Sequence, residues 1–452
     1  MKINIASNEV IHFIGIGGIG MSGLARILVQ SGVNVSGSDI KESKLLDDLR
    51  GLGIRVQLGH YEENLGDAQI VVTSSAICSD NVELNAARQR GTRILHRSEV
   101  LARFMASRIG IAVSGTHGKT TTSSMLAIVL NQIGVDPTII VGAEIINLKT
   151  NGLLGSGPYA VCEADESDKS FLNVPAVFKI VTNIDTDHMD VYQNFENLKS
   201  AFLEFMNSIR FYGLVIICFD DLQLRDLTKK VHRRVVTYGL NEGADVSARH
   251  LKNKPFGTVF TCFQGEQKLG TVELNVPGRH NVQNALAVIS VGLWIGLSFN
   301  EMARSLASFQ GAERRQQFKG ERGGVSVIDD YAHHPTEIKA TLECLRSVGE
   351  RMIVVFQPHR YTRTKYLIDL MGECFVDADR LFVLPVYGAG EEPIPGIDSK
   401  TLVSRISPTV STTFVEDTVS MVNLIRQETR PGDLVVTMGA GDVWQVGEKF
   451  LG

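Results

Sequence analysis

At 452 residues the chain is about three times a typical domain of ~150 residues, so two or three domains are expected, each able to bury a full core. Hydrophobic residues at 44% and charged residues at 21% are ordinary globular values. The net charge of -5, from 45 Lys and Arg against 50 Asp and Glu, argues against nucleic-acid binding, so any anionic ligand must be met by local positive charge. No secretory leader pattern precedes the first strand and no apolar run approaches the ~20 residues that span a bilayer, so a cytoplasmic protein without membrane contact is expected.

In chain order, short β-branched runs alternate with glycine-rich turns and helical patterns. VIHFIGIG leads into MSGLARILVQSG, then come NVSGSD, AQIVVTSSAI and the helical SEVLARFM. A fresh strand, RIGIAVSG, opens after a break near residues 104 to 108, and TTSSMLAIVLNQIG follows as a long helix. The helical NVQNALAVISVGLWIG and MARSLASF end near a second break at residues 309 to 315. Beyond it the rhythm restarts with GVSVIDDY, MIVVFQPH, RLFVLPVY and DLVVTMGAG. This alternation is that of βα units on parallel sheets and predicts three α/β domains, at residues 1–106, 107–313 and 314–452. The six cysteines are scattered singly, without CxxC spacing, and read as buried free thiols rather than a zinc cluster or redox dithiol.

The first glycine turn, HFIGIGGIGMSGLA, sets Gly15, Gly17, Gly18 and Gly20 between a strand and a helix, with Asp39 closing the next strand. Such glycines let backbone amides approach a diphosphate at a helix N-terminus, and the acid can accept from a ribose or base. The second loop, VSGTHGKTTT, departs from the usual GxxxxGK[ST] because Val113 stands where the first glycine belongs. Gly115 and Gly118 can still curl amides round phosphates, Lys119 can reach the β and γ oxygens, and Thr120 can ligate Mg²⁺. An apolar strand ends in CEADESD, supplying Glu163, Asp165, Glu166 and Asp168, either a metal-holding group or a solvated acidic loop. TNIDTDHMD presents Asn183, Asp185, Asp187, His188 and Asp190. His188 is either a Mg²⁺ ligand or a hydrogen-bonded histidine. DDYAHHPTE places Asp329, Asp330, Tyr331, His333 and His334 before a helix started by proline. Paired histidines invite zinc, but no third His or Cys stands at suitable spacing, so metal is the weaker reading there. In QPHRYTRT, Arg360 and Arg363 form a fork suited to a carboxylate or phosphate, or else an exposed basic patch.

The ordered set GIGGIGMSGLA, SGTHGKTTT, EADESD, TNIDTDHMD, GRHNVQNALA, DDYAHHPTE and QPHRYTRT, spread over most of the chain, closely resembles the Mur ligase family. The resemblance implies an N-terminal Rossmann-like domain for a UDP-sugar, a central P-loop ATPase-like domain with a mostly parallel sheet, and a C-terminal Rossmann-like domain for an amino acid. It implies ATP and Mg²⁺ as cofactors, and UDP-N-acetylmuramate and L-alanine as substrates in peptidoglycan precursor synthesis, with the chain acting as a monomer or weak homodimer. Carried over residue by residue, it puts Gly115, Thr116, His117, Gly118, Lys119, Thr120 and Thr121 round the phosphates, with Thr120 and Glu163 on Mg²⁺ and His188 on a second Mg²⁺. It puts His280, Asn281, Asn284 and Asp330 on the nucleotide and gives Arg315 a catalytic role. Tyr331, His333, Arg360 and Arg363 would form the amino-acid pocket, with His333 a candidate base, while the glycine turn, Asp39 and Ser75 would meet the UDP-sugar. Gln316 and Ala332 depart from the family pattern, the roles of Arg314 and Arg315 stay undivided, and Lys199 is the nearest lysine to one that several relatives carry carbamylated. A nicotinamide-dependent dehydrogenase would leave GTHGKT unemployed, and a non-catalytic nucleotide-binding regulator would leave Arg360 and Arg363 without purpose. A murein peptide ligase is the nearer rival, distinguished around DHMD and QPHRYTRT.

Overall fold

The computed structural model describes residues 9–346 and 348–452. Its three sheets follow one another along the chain. The first is five parallel strands, Val10–Ile14, Asn34–Asp39, Arg55–Leu58, Ile70–Thr73 and Arg93–His96, in spatial order 3-2-1-4-5. Strand order reverses beside Val10–Ile14, so the ligand crevice of such a sheet opens at the C-terminal ends of Val10–Ile14 and Ile70–Thr73. Phe13 and Val72 are wholly buried because helices cover both faces, which is why these strands read as continuous apolar runs.

The second sheet has ten strands. At its centre Ile109–Ser114 runs parallel between Phe178–Val181 and Tyr159–Glu163, so both neighbours end beside the loop that follows Ser114. One edge is an antiparallel meander, Val246–Lys254, Gly257–Gln264 and Gln267–Leu274, on segments the sequence reading left unassigned. The helix Lys119–Gln132 is buried along nearly its whole length between this sheet and the helix Arg279–Trp294, which explains its lack of a polar face. The third sheet has the order Gln317–Arg322, Val325–Asp330, Leu434–Met438, Met352–Phe356, Arg380–Val383, Ser411–Phe414, and only its first strand is antiparallel. Separate apolar clusters fill its two faces.

A single apolar cluster runs from Ile11 to Phe309, joining the first two sheets. Among the described residues no helix is long and apolar enough to cross a membrane. All six cysteines are free, and Cys162, Cys218, Cys262 and Cys374 are buried as expected. Cys344 is half-buried and Cys78 is exposed, correcting the expectation of buried thiols throughout; Cys78 lies in the loop beyond Ile70–Thr73, outside the apolar layers.

Candidate active site

The shortened loop keeps its shape through its neighbours. Gly115 takes φ 129° and Gly118, at the helix start, φ 82°, a region that strains other residues. A Cβ on Gly115 would stand 2.1 Å from Thr182 Oγ1, and one on Gly118 would stand 2.8 Å from Asn284 Oδ1. Asn183 clamps the loop through both backbone groups of His117: the amide donates to Asn183 Oδ1 at 2.8 Å and the carbonyl accepts from Asn183 Nδ2 at 3.0 Å. The Thr116 hydroxyl accepts from the Asp185 amide at 2.9 Å. Lys119 Nζ donates to the carbonyls of Gly115 and Thr116 at 2.7 and 3.0 Å and to Glu166 at 2.9 Å. Burial works against the ammonium, yet Glu166, Asp165 and Glu163 raise its pKa and keep it charged.

The acids do gather round this lysine, so the solvated-loop reading fails for Glu166, which is 1% exposed. Burial pushes its carboxyl up to about 8 against the pull of Lys119, because Asp165 crowds it. Glu163 Oε2 accepts from the Thr120 hydroxyl and the Gly142 amide, both at 2.9 Å. A Cβ on Gly142 would stand 2.4 Å from that oxygen. His188, at φ 56°, puts Nε2 3.8 Å from Glu166, and burial lowers its pKa, so the ring is neutral. A hydroxyl, several carboxylates and a neutral imidazole gathered at the loop suit a hard divalent cation such as Mg²⁺. Lys199 lies elsewhere: its Nζ pairs with Glu196, 2.5 Å away on its own helix.

A cavity of about 320 Å³ opens between the second and third sheets. His117, Gly118, Thr120 and Thr121 line one wall and His280, Asn281 and Asn284 another, with Asp330 and Arg315 contributed by the third domain. Asn281 Nδ2 donates to the Pro277 carbonyl at 2.7 Å and Asn284 Nδ2 to Asn281 Oδ1 at 3.3 Å, so the two amides are held in sequence along their helix. Burial lowers His280 to about 4 and raises Asp330 to about 6, leaving His280 an uncharged lining group near neutrality. The two arginines divide. Arg314, at φ 59°, turns into its own domain, donating to Asp329 at 2.9 Å and to the carbonyls of Gly441 and Gly439 at 3.0 and 2.6 Å. Arg315 instead reaches across to Thr120, 3.5 Å from its hydroxyl.

Below the cavity Tyr331, His333, His359 and Tyr387 form a chain of rings, with centroid separations of 5.5, 6.1 and 5.6 Å in that order. Burial and then Arg363 hold His333 down to about 3, so it is neutral at neutral pH but a weak proton acceptor. Arg363 donates to Asp187 at 3.3 and 3.4 Å, bridging from the third domain to the second. Arg360 is bound to Glu391 of its own domain at 2.5 Å and lies 3.7 Å from Asp190. Both arginines of the fork therefore face carboxylates, and neither belongs to an exposed basic patch.

The first domain supplies the glycine turn. Gly15 and Ile16 amides donate to the Ser38 carbonyl at 2.9 and 3.0 Å, and the helix Ile19–Gln30 starts at Gly18 with no side-chain cap, leaving its first amides for an anion. Asp39 accepts from the Gly17 amide at 2.9 Å, so part of its capacity closes the turn itself. A Cβ on Gly20 would stand 3.5 Å from Arg97 Nη1. Ser75 donates to Asp168 at 2.6 Å, and Arg97 reaches Asp165 and Asp168 at 3.4 Å, tying this turn to the acidic cluster.

The sequence reading passed over Arg97, Gly142, Thr182 and Glu337. Gly142 and Arg97 carry no motif of their own, and their roles follow from sheet order. Glu337 had a signal, since HPTE is a capping box: its carboxylate accepts from the His334 amide at 3.4 Å while His334 Nδ1 accepts from the Thr336 amide at 3.3 Å.

Family models match in three stretches: Mur ligase family, catalytic domain, over residues 10–109; Mur ligase middle domain over 113–292; and Mur ligase, glutamate ligase domain, over 314–441. The chain is 45% identical to a UDP-N-acetylmuramate--L-alanine ligase of Desulfosudis oleivorans over 98% of this chain and 97% of the relative. It is 47% identical to one of Pelotomaculum thermopropionicum over 98% and 96%. The crystal structure of UDP-N-acetylmuramate-alanine ligase from Thermotoga maritima superposes with TM-score 0.83, at 30% identity over 97% of each chain. The chain belongs to the Mur ligase family.

Proposed function

We propose that the protein is an ATP-dependent ligase that joins L-alanine to the lactyl carboxylate of UDP-N-acetylmuramate, releasing ADP and phosphate, in cytoplasmic peptidoglycan precursor synthesis. The observation that carries this reading is the cavity where the P-loop, the Asn281/Asn284 helix and Arg315 converge between two domains, with the contacting rings of Tyr331 and His333 on the third domain. Its relatives over nearly the full length bear that activity in their names.

The carboxylate displaces ADP from the γ-phosphoryl group, forming an acyl C–O–P linkage; the alanine amine then attacks the acyl carbon, and phosphate leaves as the amide forms. Two anions must meet in a protein of net charge -5, so compensation is local. Lys119 supplies the buried positive charge at the loop, and Arg315, 3.5 Å from Thr120, adds a guanidinium from the opposite wall. Thr120, Glu163 and His188 would hold Mg²⁺, which when bound neutralises phosphate charge during transfer. The first amides of the helix Ile19–Gln30, which has no side-chain cap, receive the UDP diphosphate, with Asp39 and Ser75 at its margins. Arg97 lies between that turn and the acidic cluster. Tyr331, His333, Arg360 and Arg363 present the amino acid, where an incoming carboxylate competes with Asp187 for Arg363. Because burial, and then Arg363, hold His333 down to about 3, His333 orients the amine rather than storing its proton. Closure of the third domain excludes water from the acyl phosphate. The protein acts as a monomer or weak homodimer.

Phosphate release is measured with UDP-N-acetylmuramate, ATP and Mg²⁺, with and without L-alanine, for the wild type and Lys119→Ala. Release should require both the UDP-sugar and the amino acid, and the variant should lose at least ~100-fold in kcat. Release without the UDP-sugar, or a variant near wild-type turnover, would overturn the assignment. Faster release with the tripeptide L-alanyl-γ-D-glutamyl-diaminopimelate than with L-alanine would move the protein to the murein peptide ligases.

A further inference from the structure

The sequence offers His333 and His334 no nearby third ligand, but folding brings two from another domain. The convergence point is Asp185 Oδ2. His117 Nε2 lies 2.9 Å from it, the Thr336 hydroxyl donates to it at 2.6 Å, and His334 Nδ1 stands 3.6 Å away. One ligand atom from each of His117, Asp185 and His334 falls within 4.8 Å of the others.

The second nitrogen of each ring is already engaged. His117 Nδ1 meets Glu337 Oε1 at 3.0 Å, and His334 Nε2 meets the Thr186 carbonyl at 3.1 Å. A carbonyl only accepts, so His334 Nε2 carries the proton, while Nδ1 accepts from the Thr336 amide at 3.3 Å and stands 3.6 Å from Asp185 Oδ2. A carboxylate on one imidazole and a backbone carbonyl on the other are the outer contacts that orient histidines bound to metal.

We propose that His117, Asp185 and His334 form a binding site for a transition-metal ion of the Zn²⁺ class that clamps the P-loop domain to the C-terminal domain. Two imidazoles and one carboxylate suit zinc and its neighbours, whereas the hydroxyl and carboxylates around Thr120 and Glu163, with the one imidazole of His188, are the mainly oxygen set that a hard cation prefers. Bonds of ~2.0 to 2.2 Å in a tetrahedron put ligand atoms roughly 3.3 to 3.6 Å apart. The separation of 2.9 Å lies below that range and that of 3.6 Å at its edge, and the remaining pair, within 4.8 Å, closes on the ion. The ion replaces a proton shared by His117 and Asp185 and the 3.3 Å bond from the Thr336 amide to His334 Nδ1, while Glu337 continues to cap the helix. Because His334 belongs to one domain and His117 and Asp185 to the other, the site is complete only when the domains are closed, so binding favours that state.

Titration of the full chain with Zn²⁺ by calorimetry, in excess Mg²⁺, together with Co²⁺ absorption, tests this. One equivalent of Zn²⁺ should bind, and Co²⁺ should give the intense visible bands of a four-coordinate site. His334→Asn, which retains a helix-capping side chain, and His117→Asn, in the other domain, should each weaken binding at least ~10-fold, and Glu337→Gln about 10- to 100-fold. Affinity unchanged in both histidine variants would overturn the site. So would affinity lost in His188→Ala and kept in His334→Asn, which would put the ion with Thr120 and Glu163.

Discussion

The chain has two seams between domains, built from opposite materials. At the first, the helix Ile19–Gln30 lies on the hairpin of Thr138–Ile145 and Thr150–Leu153. Gly23 and Gly152 let the backbones touch, Asn151 Nδ2 donates to the Ile19 carbonyl at 2.7 Å, and one apolar cluster continues through. At the second, the contacts are His117 with Glu337, Thr336 with Asp185, Arg363 with Asp187 and Arg315 with Thr120, around a cavity. Close-packed apolar contacts have one good arrangement, whereas charged side chains can exchange protein partners for ligand. The first seam fixes the first domain on the second, and the second seam, on the proposed function, is where ligands open and close the protein.

The largest effect is expected at the second seam. Arg363→Ala should cost ~2 to 4 kcal/mol in kcat/KM for L-alanine and raise KM for L-alanine far more than KM for ATP, as steady-state kinetics would read. Equal effects on both would give Arg363 a phosphate role instead. At the first seam, Gly152→Val puts a Cβ 2.4 Å from the Gly23 carbonyl oxygen and 2.7 Å from its Cα, backbone that cannot swing away. A loss of ~2 to 3 kcal/mol is expected, read as a lower midpoint in denaturant melts; an unchanged midpoint would show that this seam yields too.

A smaller effect depends on pH. Burial disfavours a charged His117, but Asp185 and Glu337 raise it to about 9 from its ordinary 6.5. The stabilisation from the charged ring is therefore fully present below about 6.5 and lost as pH rises through 9. The melting-temperature advantage of wild type over His117→Asn should shrink between pH 7 and 10, and growth with pH would contradict the pairing. The smallest effect, ~1 kcal/mol, is expected for Thr336→Val, which removes one hydroxyl bond to Asp185 and keeps the shape. A loss comparable to that of Gly152→Val would erase the contrast between the seams.

Local chemistry made much of this legible in the sequence. Gly115, Gly118, Lys119 and Thr120 are adjacent, and their spacing alone specifies a loop between strand and helix. The acids after Glu163 and those around His188 end strands that flank that loop, so their convergence follows from sheet order. Gly142 was not legible, because its role is to let a neighbouring strand's amide reach Glu163. Nor was the division between Arg314 and Arg315, which depends on the left-handed turn at Arg314. The partners of His117 lie 68 and 220 residues away, beyond any local pattern. The antiparallel meander of the second sheet carries no site residue and left no glycine motif to read.

Amide hydrogen exchange on the full-length protein, alone and with Mg²⁺, a non-hydrolysable ATP analogue and UDP-N-acetylmuramate, tests the two-seam account most directly. Residues 183–190 and 331–337 should gain protection when ligands are added, while 19–23 and 150–154 stay equally protected in both states. Loosening of 150–154 together with 331–337 in the ligand-free protein, or no change at either seam, would contradict it.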